Sequence, residues 1–395
     1  MAKTVLLTLG RLPKGLDIAR SFRLSGYRVI VAEPFRWHLM RVSRAVAKSY
    51  QVTAPVTDRE RYLNDLLGII KKEAVDLIVP ISEETLYVAA LRDRLPKHVT
   101  LFTMEEAALV TLHDKHSFVR LAGTYGLDVP ESYRLNDTRA ASLAEAVDTV
   151  IKPVLSCAGS GVSYRLKGED LPSDDPHRPR IVQTRLEGDA ISSFSIVHEG
   201  RVLLTTLYRG KIMTGTVAVG FERVDDHQAV HDWIQHFVQQ SGCDGLISFD
   251  FIVNGEGRAF AIECNPRVTS GVHFVATDNI APIMLYPNRA TPPRRTTDRD
   301  LQQFWPCLTE TQAAILKPHR FVQHLRHLIR AKDVTWKRRD PLPFLLMPFT
   351  SFGMLWTAMT TEKTLGEAAT EDIEWRPRGE TPPSEQEASA RAFPG

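Results

Sequence analysis

The stretch LISFDFIVNGEGRAFAIECNPR, residues 246–267, decides how this chain is read. It contains two β-runs, Leu246–Val253 and Arg258–Cys264, joined by Asn254-Gly255-Glu256-Gly257, a strong hairpin signal. Side chains alternate faces along a strand. On the first run Ile247, Phe249, Phe251 and Val253 make an apolar face, with Ser248 and Asp250 opposite. On the second, Phe260, Ile262 and Cys264 are apolar, while Ala261, Glu263 and Asn265 share the other side. If both apolar sets face one core, Asp250, Glu263 and Asn265 project together, provided the loop is even-numbered. Two carboxylates and an amide oxygen suit Mg2+, which takes few protein oxygens and keeps positions for phosphate. An ordinary solvated strand face is the competing reading. Pro266-Arg267 favours the site, because Arg267 leaves the same strand end and is suited to clamp a phosphoryl oxygen.

Upstream, Lys152 sits in an apolar β-run between Val150, Ile151 and Val154. A lysine on such a strand needs a partner, and a polyphosphate is one; a snorkelling edge lysine is the bland alternative. Ser156–Gly161 offers backbone N–H groups with no obstructing side chains, as a phosphate cover needs. Lys115, near a helix start after Asp114, says little alone. His113–Tyr125 reads as a helix closed by Gly126, Ile181–Leu186 as a strand, and Ile191–His198 with Arg201–Tyr208 as a hairpin around Glu199-Gly200. Val230, Trp233, Ile234, Phe237 and Val238 give an amphipathic helix ending at Gly242.

The first hundred residues alternate apolar runs (Thr4–Leu9, Tyr27–Ala32, Asp76–Pro80, Val99–Phe102) with helical stretches at Leu16–Leu24, Arg59–Lys72 and Glu83–Leu95. That alternation implies parallel βαβ units in a doubly wound sheet. The turn Gly10-Arg-Leu-Pro-Lys-Gly15 lacks both the GxGxxG spacing and a P-loop ending, although Glu33 lies where a ribose-binding acid is expected. A tight turn with no dinucleotide is the preferred reading.

Lys and Arg total 49 against 47 Asp and Glu, a net charge of +2, which argues against a dedicated nucleic-acid binder. Cys157, Cys243, Cys264 and Cys307 are far apart, which suits a reducing compartment and gives no zinc site. Leu342–Met359 is apolar but holds Pro343 and Pro348, so it reads as buried or interfacial rather than spanning. Its Phe344, Phe349, Phe352 and Trp356 suit packing or dimerisation. Lys317–Arg339 reads as an amphipathic helix with a basic solvated face and Leu325, Leu328 and Ile329 inward. Arg289–Asp300 reads as a linker, and the tail from Arg376 as disordered.

Taken in order, Asp114-Lys115, Ile151-Lys152-Pro153, the small-residue loop, Val182–Asp189, Ser248–Phe251 and Glu263-Cys-Asn-Pro-Arg267 resemble the ATP-grasp superfamily over about Leu112 to Gly271. The resemblance implies an α/β ATP-grasp fold with an α+β lid behind an N-terminal doubly wound, Rossmann-like domain. The divisions it suggests are 1–110 for the N-terminal domain, 111–187 for the lid, 188–290 for the large subdomain with the metal, 291–375 for a C-terminal extension and 376–395 for the tail. It implies ATP with Mg2+ (or Mn2+) as cofactors. Lys115 and Lys152 would bind phosphates, with Lys152 and Arg267 acting in catalysis. Gly159 and Gly161 would lie in the lid, Gln183, Thr184, Arg185 and Leu186 would meet adenine, and Glu187 would reach ribose. Asp250, Glu263 and Asn265 would hold the metal. Gln183 departs from the glutamate that family members often carry there, and the lid loop is short.

The implied reaction is ADP-forming ligation of an activated carboxylate, or an enol, to the amine of an amino acid or other small amine. Trp233–Asp250, Arg339–Phe344 and Arg41–Val46 further resemble mycosporine-glycine synthase and its relatives, which would make the acceptor a cyclic enol(one). An NAD(P)-dependent oxidoreductase built on the N-terminal sheet is the competing class. Small-molecule substrates, no nucleic acid, no integral membrane segment, a cytoplasmic location and a homodimer through the extension complete the expectation. Specificity is expected from Leu12–Lys14, Phe35–His38, Ser82–Thr85 and Val268–His273. Cys264 and His273 are expected to be structural.

Overall fold

The computed structural model describes residues 2–156, 159, 161–225, 227–289, 293–360 and 365–377. Three sheets organise them. The first contains β1 (Thr4–Leu7), β2 (Arg28–Glu33), β3 (Val46–Gln51), β4 (Leu77–Val79) and β5 (Thr100–Leu101), in the order β3-β2-β1-β4-β5. All its pairings are parallel, and helices Pro13–Leu24 and Arg59–Glu73 connect its strands. This is the doubly wound sheet the alternation implied. The helix expected over Glu83–Leu95 is shorter, Thr85–Ala89 followed by a 3-10 turn, because Glu84 folds back to accept from the Ile81 and Ser82 amides.

The turn after β1 carries its own anion. Glu33, fully buried at the end of β2, accepts from the Gly10 and Arg11 amides at 2.8 and 3.0 Å. Those are the amides that would otherwise cradle a pyrophosphate. Arg11 closes the arrangement from above, 2.5 Å from Glu33 and 2.7 Å from Asp372, with its guanidinium over the Phe35 ring. Burial pushes the Glu33 carboxyl up, and Arg11, with His38 and the Phe35 amide, more than offsets it. Glu33 is therefore a structural acid, and the oxidoreductase reading loses the residue that suggested it.

The second sheet contains β6 (Ser132–Arg134), β7 (Thr149–Pro153), β8 (Ser163–Arg165) and β9 (Arg180–Thr184), ordered β6-β9-β7-β8 and antiparallel. Gly188 follows it with φ +151, where a Cβ would strike the Val253 carbonyl, so only glycine fits the passage to the third sheet. That sheet contains β10 (Asp189–His198), β11 (Arg201–Thr214), β12 (Val217–Val224), β13 (Gly245–Val253), β14 (Ala259–Asn265), β15 (Asp300–Gln302) and β16 (Lys332–Asp333), ordered β14-β13-β10-β11-β12-β15-β16. Helix Gln228–Ser241 packs Trp233 against Phe249 and Phe251 of β13. One face of β13 is thereby committed to the core and the alternate face is left for Asp250.

β15 and β16 come from the stretch expected as a linker and extension, so that stretch is partly built into the sheet. Beyond it, Pro343 and Pro348 each sit in the first turn of a short helix, Leu342–Leu345 and Met347–Thr350, and Phe352–Thr360 follows. Proline suits a first turn because its missing N–H is unpaired there anyway. Phe344 packs between Phe304, Trp305 and Trp336, whereas Phe349, Phe352 and Trp356 face outward. In helix Pro318–Arg330 only Leu328 of the expected stripe packs inward; Leu325 and Ile329 are exposed and His324 is buried in their place. The tail expected to be disordered lies, from 378, outside the described residues.

The C-terminal segment 365–377 returns to the first sheet. Asp372 pairs with Arg11, Ile373 is buried, and Trp375 meets Tyr87 edge-on with Arg59 over its other side. Removing one partner of a buried ion pair costs about 3–5 kcal/mol, because the other charge stays buried. Arg11→Met strands both Glu33 and Asp372. It is expected to lower stability in urea by about that amount and to speed proteolytic loss of the C-terminal segment.

Candidate active site

The deciding hairpin forms, but by a different route from the one expected. Val253 pairs with Ala259, so the loop is the odd-numbered stretch 254–258. Alone, that would split the carboxylates. A register shift between Asp250 and Phe251 restores them: Phe251 pairs with Ala261, whereas Asp250 pairs with Glu263 and Ser248 with Asn265. Ile262 is the extra residue of this bulge. The shift also corrects the expected faces. Ala259 and Ala261 enter the core with Cys264, and Phe260 and Ile262 do not.

The bulge serves the site directly. The Ile262 carbonyl accepts from Lys152 Nζ at 3.0 Å, which joins the second sheet to the third. Burial lowers the Lys152 amine to about 8, with Lys115 adding to the shift and Glu263 and Asp250 opposing it. Lys115 opens helix Lys115–Thr124, which Asp114 caps by accepting from the Ser117 amide. Its Nζ donates to the Ser156 carbonyl at 2.8 Å and lies 3.7 Å from Glu263 Oε1. Two buried ammonium groups thus meet the carboxylate pair.

Burial, then the neighbouring Glu263, pushes the Asp250 carboxyl up to about 6, although Ser192 Oγ donates to it at 2.6 Å. Two like charges held opposite each other, beside the oxygens of Ser192 and Asn265, fit a divalent cation, which would relieve the repulsion. Asn265 supplies the amide, donating to Asp250 Oδ2 at 3.1 Å while its oxygen accepts from Arg267 at 2.9 Å. A metal would require that amide to turn. Among the described residues no group of three His, Cys, Asp or Glu is placed to hold a metal ion.

Arg267 lies 2.6 Å from Glu83, a fully buried acid on the loop after β4. Burial pushes the Glu83 carboxyl up, but Arg267, His113, Lys14 and Lys115 together bring it below its ordinary value. Glu83 was legible only as one residue of Ser82–Thr85; its role as the arginine's anchor was not. Three of the four expected specificity loops line the cavity beside this site, through Leu12, Ser82 and Thr269 among others. Phe35–His38 does not line it, because Phe35 stacks under Arg11 and His38 is buried against Ser49. His273 is held by Asp17 at 2.5 Å, and Cys264 is buried with its thiol pushed well up. Cys264 is structural, whereas His273, though held by Asp17, also lines the cavity.

The remaining expected nucleotide residues lie along the second sheet and its exit. Gln183 is buried and donates to Ser132 Oγ at 2.8 Å. The Thr184 amide donates to the Glu131 carbonyl, and Arg185 turns to Asp148 and the Tyr164 ring. Leu186 is half-buried and Glu187 is exposed. Gly159 and Gly161 have positive φ, and a Cβ on Gly159 would strike Thr216 of the β11–β12 turn. The rest of that loop, Cys157, Ala158 and Ser160, lies outside the described residues.

A small sheet thus carries a lysine onto a larger sheet that carries paired acids and ends in an arginine. Residues 112–271 match the family described as the ATP-grasp domain. No curated protein matches the sequence. Among solved structures, the biotin carboxylase domain of Hydrogenobacter thermophilus 2-oxoglutarate carboxylase, in complex with MgADP, ADP and bicarbonate, is similar at TM-score 0.55 and 14% identity. That likeness covers 68% of this chain and 65% of that one, so this chain spans just under two thirds of its length. An N5-carboxyaminoimidazole ribonucleotide synthetase in complex with ADP matches at TM-score 0.58 and 13% identity, over 80% and 86% of the two chains. The L-amino acid ligase of Bacillus licheniformis matches at TM-score 0.53 and 14% identity, over 72% and 74%. At these identities the likeness is one of fold. The finer resemblance to mycosporine-glycine synthase finds no support among them.

With a phosphate on Lys152, nucleotide binding is expected to be pH-sensitive. A phosphate site needs its charged form, which is lost as pH rises past about 8. The sign is opposite for the empty fold, where burying the charged amine lowers stability as pH falls from 10.5 towards 8. Calorimetric titration of MgADP between about pH 7 and about pH 9.5 should show affinity falling by up to about tenfold per unit. Lys152→Arg stays charged throughout and should flatten the profile.

Proposed function

We propose that this protein is an ATP-dependent, ADP-forming ligase that joins a carboxylic acid to the amine of an amino acid or other small amine. The observation that carries the reading is the meeting of Lys115 and Lys152 with the Asp250–Glu263 pair across the two sheets. In this reading Lys115 and Lys152 bind phosphates, Gly159 and Gly161 belong to the cover, and Gln183, Thr184, Arg185 and Leu186 line the adenine with Glu187 at the ribose. Asp250, Glu263 and Asn265 hold Mg2+, which supplies charge neutralisation at the phosphates. The division at 110, 187, 290 and 375 is part of the same proposal.

The acceptor carboxylate attacks the γ-phosphorus of ATP, the bond to ADP breaks, and an acyl phosphate forms. The amine then attacks the acyl carbon and phosphate leaves with the electron pair of the C–O bond. Arg267, braced by Glu83, faces the developing phosphoryl charge. No protein nucleophile is required, so positioning and electrostatics carry the rate.

ADP release should be assayed over a matrix of amino acids and small acids with Mg2+. Asp250→Ala and Glu263→Ala are expected to abolish turnover and weaken MgADP binding. Arg267→Ala is expected to lower kcat about 100- to 1000-fold, the usual loss when a charge-stabilising donor is removed, with nucleotide affinity kept. The reading fails if no pair releases ADP and both carboxylate variants bind nucleotide like the parent chain.

Two further parts of the proposal concern setting. Cys243, Cys264 and Cys307 are free and buried, which suits a cytoplasmic location, and no described helix is long and apolar enough to cross a membrane. The outward face of Phe349, Phe352 and Trp356 suits a homodimer contact. Sedimentation velocity should then show a dimer that Phe349→Ser combined with Trp356→Ser dissociates.

A further inference from the structure

Glu263, Asp250, Ser192 and Tyr208 are successive cross-strand partners on β14, β13, β10 and β11. Directly opposed residues share a face, so the metal end of the site continues as one row across the sheet. Phe221 and Val219 extend it onto β12. Strands lie about 4.8 Å apart, so the row covers roughly 19 Å. A cavity of about 1030 Å³ follows it. Small-molecule sites are usually about 300–1,000 Å³, so this one is far larger than a small polar acid needs. Gly159, Asp250, Glu263 and Asn265 line its near end, which the metal and the terminal phosphate share, whereas Lys115, Lys152 and Gln183 do not line it, so its reach over β11 and β12 is space beyond the nucleotide.

The two ends of the cavity differ in chemistry. The carboxylate end carries Lys14 and Arg267, with Lys14 Nζ donating to Ser82 Oγ at 3.1 Å and to the Val268 carbonyl at 2.8 Å. Over β11 and β12 the lining adds Trp305, Leu308, Met347 and Met354, and Arg209 there is held between Asp189 and Glu222. Met347 and Met354 are buried, and both come from the proline-broken C-terminal stretch. Flexible thioether side chains mould to varied apolar shapes.

We infer that the acceptor is a carboxylic acid with an extended apolar body, alkyl or aryl, whose carboxylate lies by Arg267 and whose body lies under Met347 and Met354. The inference rests on the ligase reading and narrows its substrate. The cationic end suits the carboxylate of the acid. An ammonium group finds no comparable partner: the described lining acids are Asp250 and Glu263, assigned to the metal, and Asp189, which is 73% exposed.

The test uses the MgADP-loaded full chain titrated calorimetrically with decanoic, hydrocinnamic and acetic acids, and ADP release with the same acids over a panel of amines. Decanoic or hydrocinnamic acid is expected to exceed acetic acid by at least about tenfold in affinity and in kcat/KM, the effect of burying two or more methylenes. Met354→Trp, which fills the apolar end, should remove most of that preference, and Met354→Ala should move it towards longer acids. Unchanged MgADP affinity in both variants reports an intact fold. The inference is overturned if acetic acid equals the apolar acids in both readouts, if the preference survives both variants, or if it follows an apolar amine instead. Binding of decanoic acid that Met354→Trp abolishes, with no ADP release from any pair, would overturn the ligase reading and leave the apolar acid site standing. ADP release confined to small polar acids would do the reverse.

Discussion

Two carboxylates that repel each other, fixed opposite one another on adjacent strands, set the terms for the rest of this molecule. The pairing of Asp250 with Glu263 exists because one extra residue, Ile262, corrects an odd-numbered turn. The same residue lends its carbonyl to Lys152, so a single backbone irregularity aligns the acids and docks the small sheet. Bulges re-aim side chains beside active sites for this reason. The aromatic packing of Trp233 on Phe249 and Phe251 fixes the strand from behind, so the acids cannot turn away from each other. The fold holds the repulsion in place, and the cation proposed for the site would relieve it.

Around this centre the N-terminal sheet acts as a brace. Its loop after β1 brings Lys14 to the cavity, and its loop after β4 brings Glu83 to Arg267. The loop after β1 keeps no dinucleotide role, since Glu33 takes up the amides that such a role would need. The segments Arg41–Val46 and Arg339–Phe344 meet at Asp340, which accepts from Ser43 and the Arg44 amide and pairs with Arg20. That contact anchors the C-terminal stretch that roofs the far end of the cavity.

Regular alternation made much of the architecture legible. The parallel sheet, the Asp114-capped helix, the Glu199-Gly200 hairpin and the helix ending at Gly242 all follow from period and punctuation. β3 escaped notice because it is a half-exposed edge strand with little apolar signal, and β15 and β16 because such short strands leave none. The carboxylate pair was found on an alternation that the strand itself breaks. A strict period of two put Phe260 and Ile262 in the core, whereas the bulge puts Ala259 and Ala261 there. Glu83, Asp340 and Asp372 were invisible as partners, since their arginines lie far away in sequence and charge pairing over such separations leaves no local pattern.

The clasp between Arg11 and Asp372 joins residues 361 positions apart. On the ribosome the first sheet is made long before the residue that neutralises it. Domains generally fold in the order they are synthesised, but this one waits with a buried guanidinium and half its counter-charge until the last part of the chain arrives. The first sheet therefore takes a counter-charge from far along the chain, and one stopped short of Asp372 leaves Arg11 with Glu33 alone.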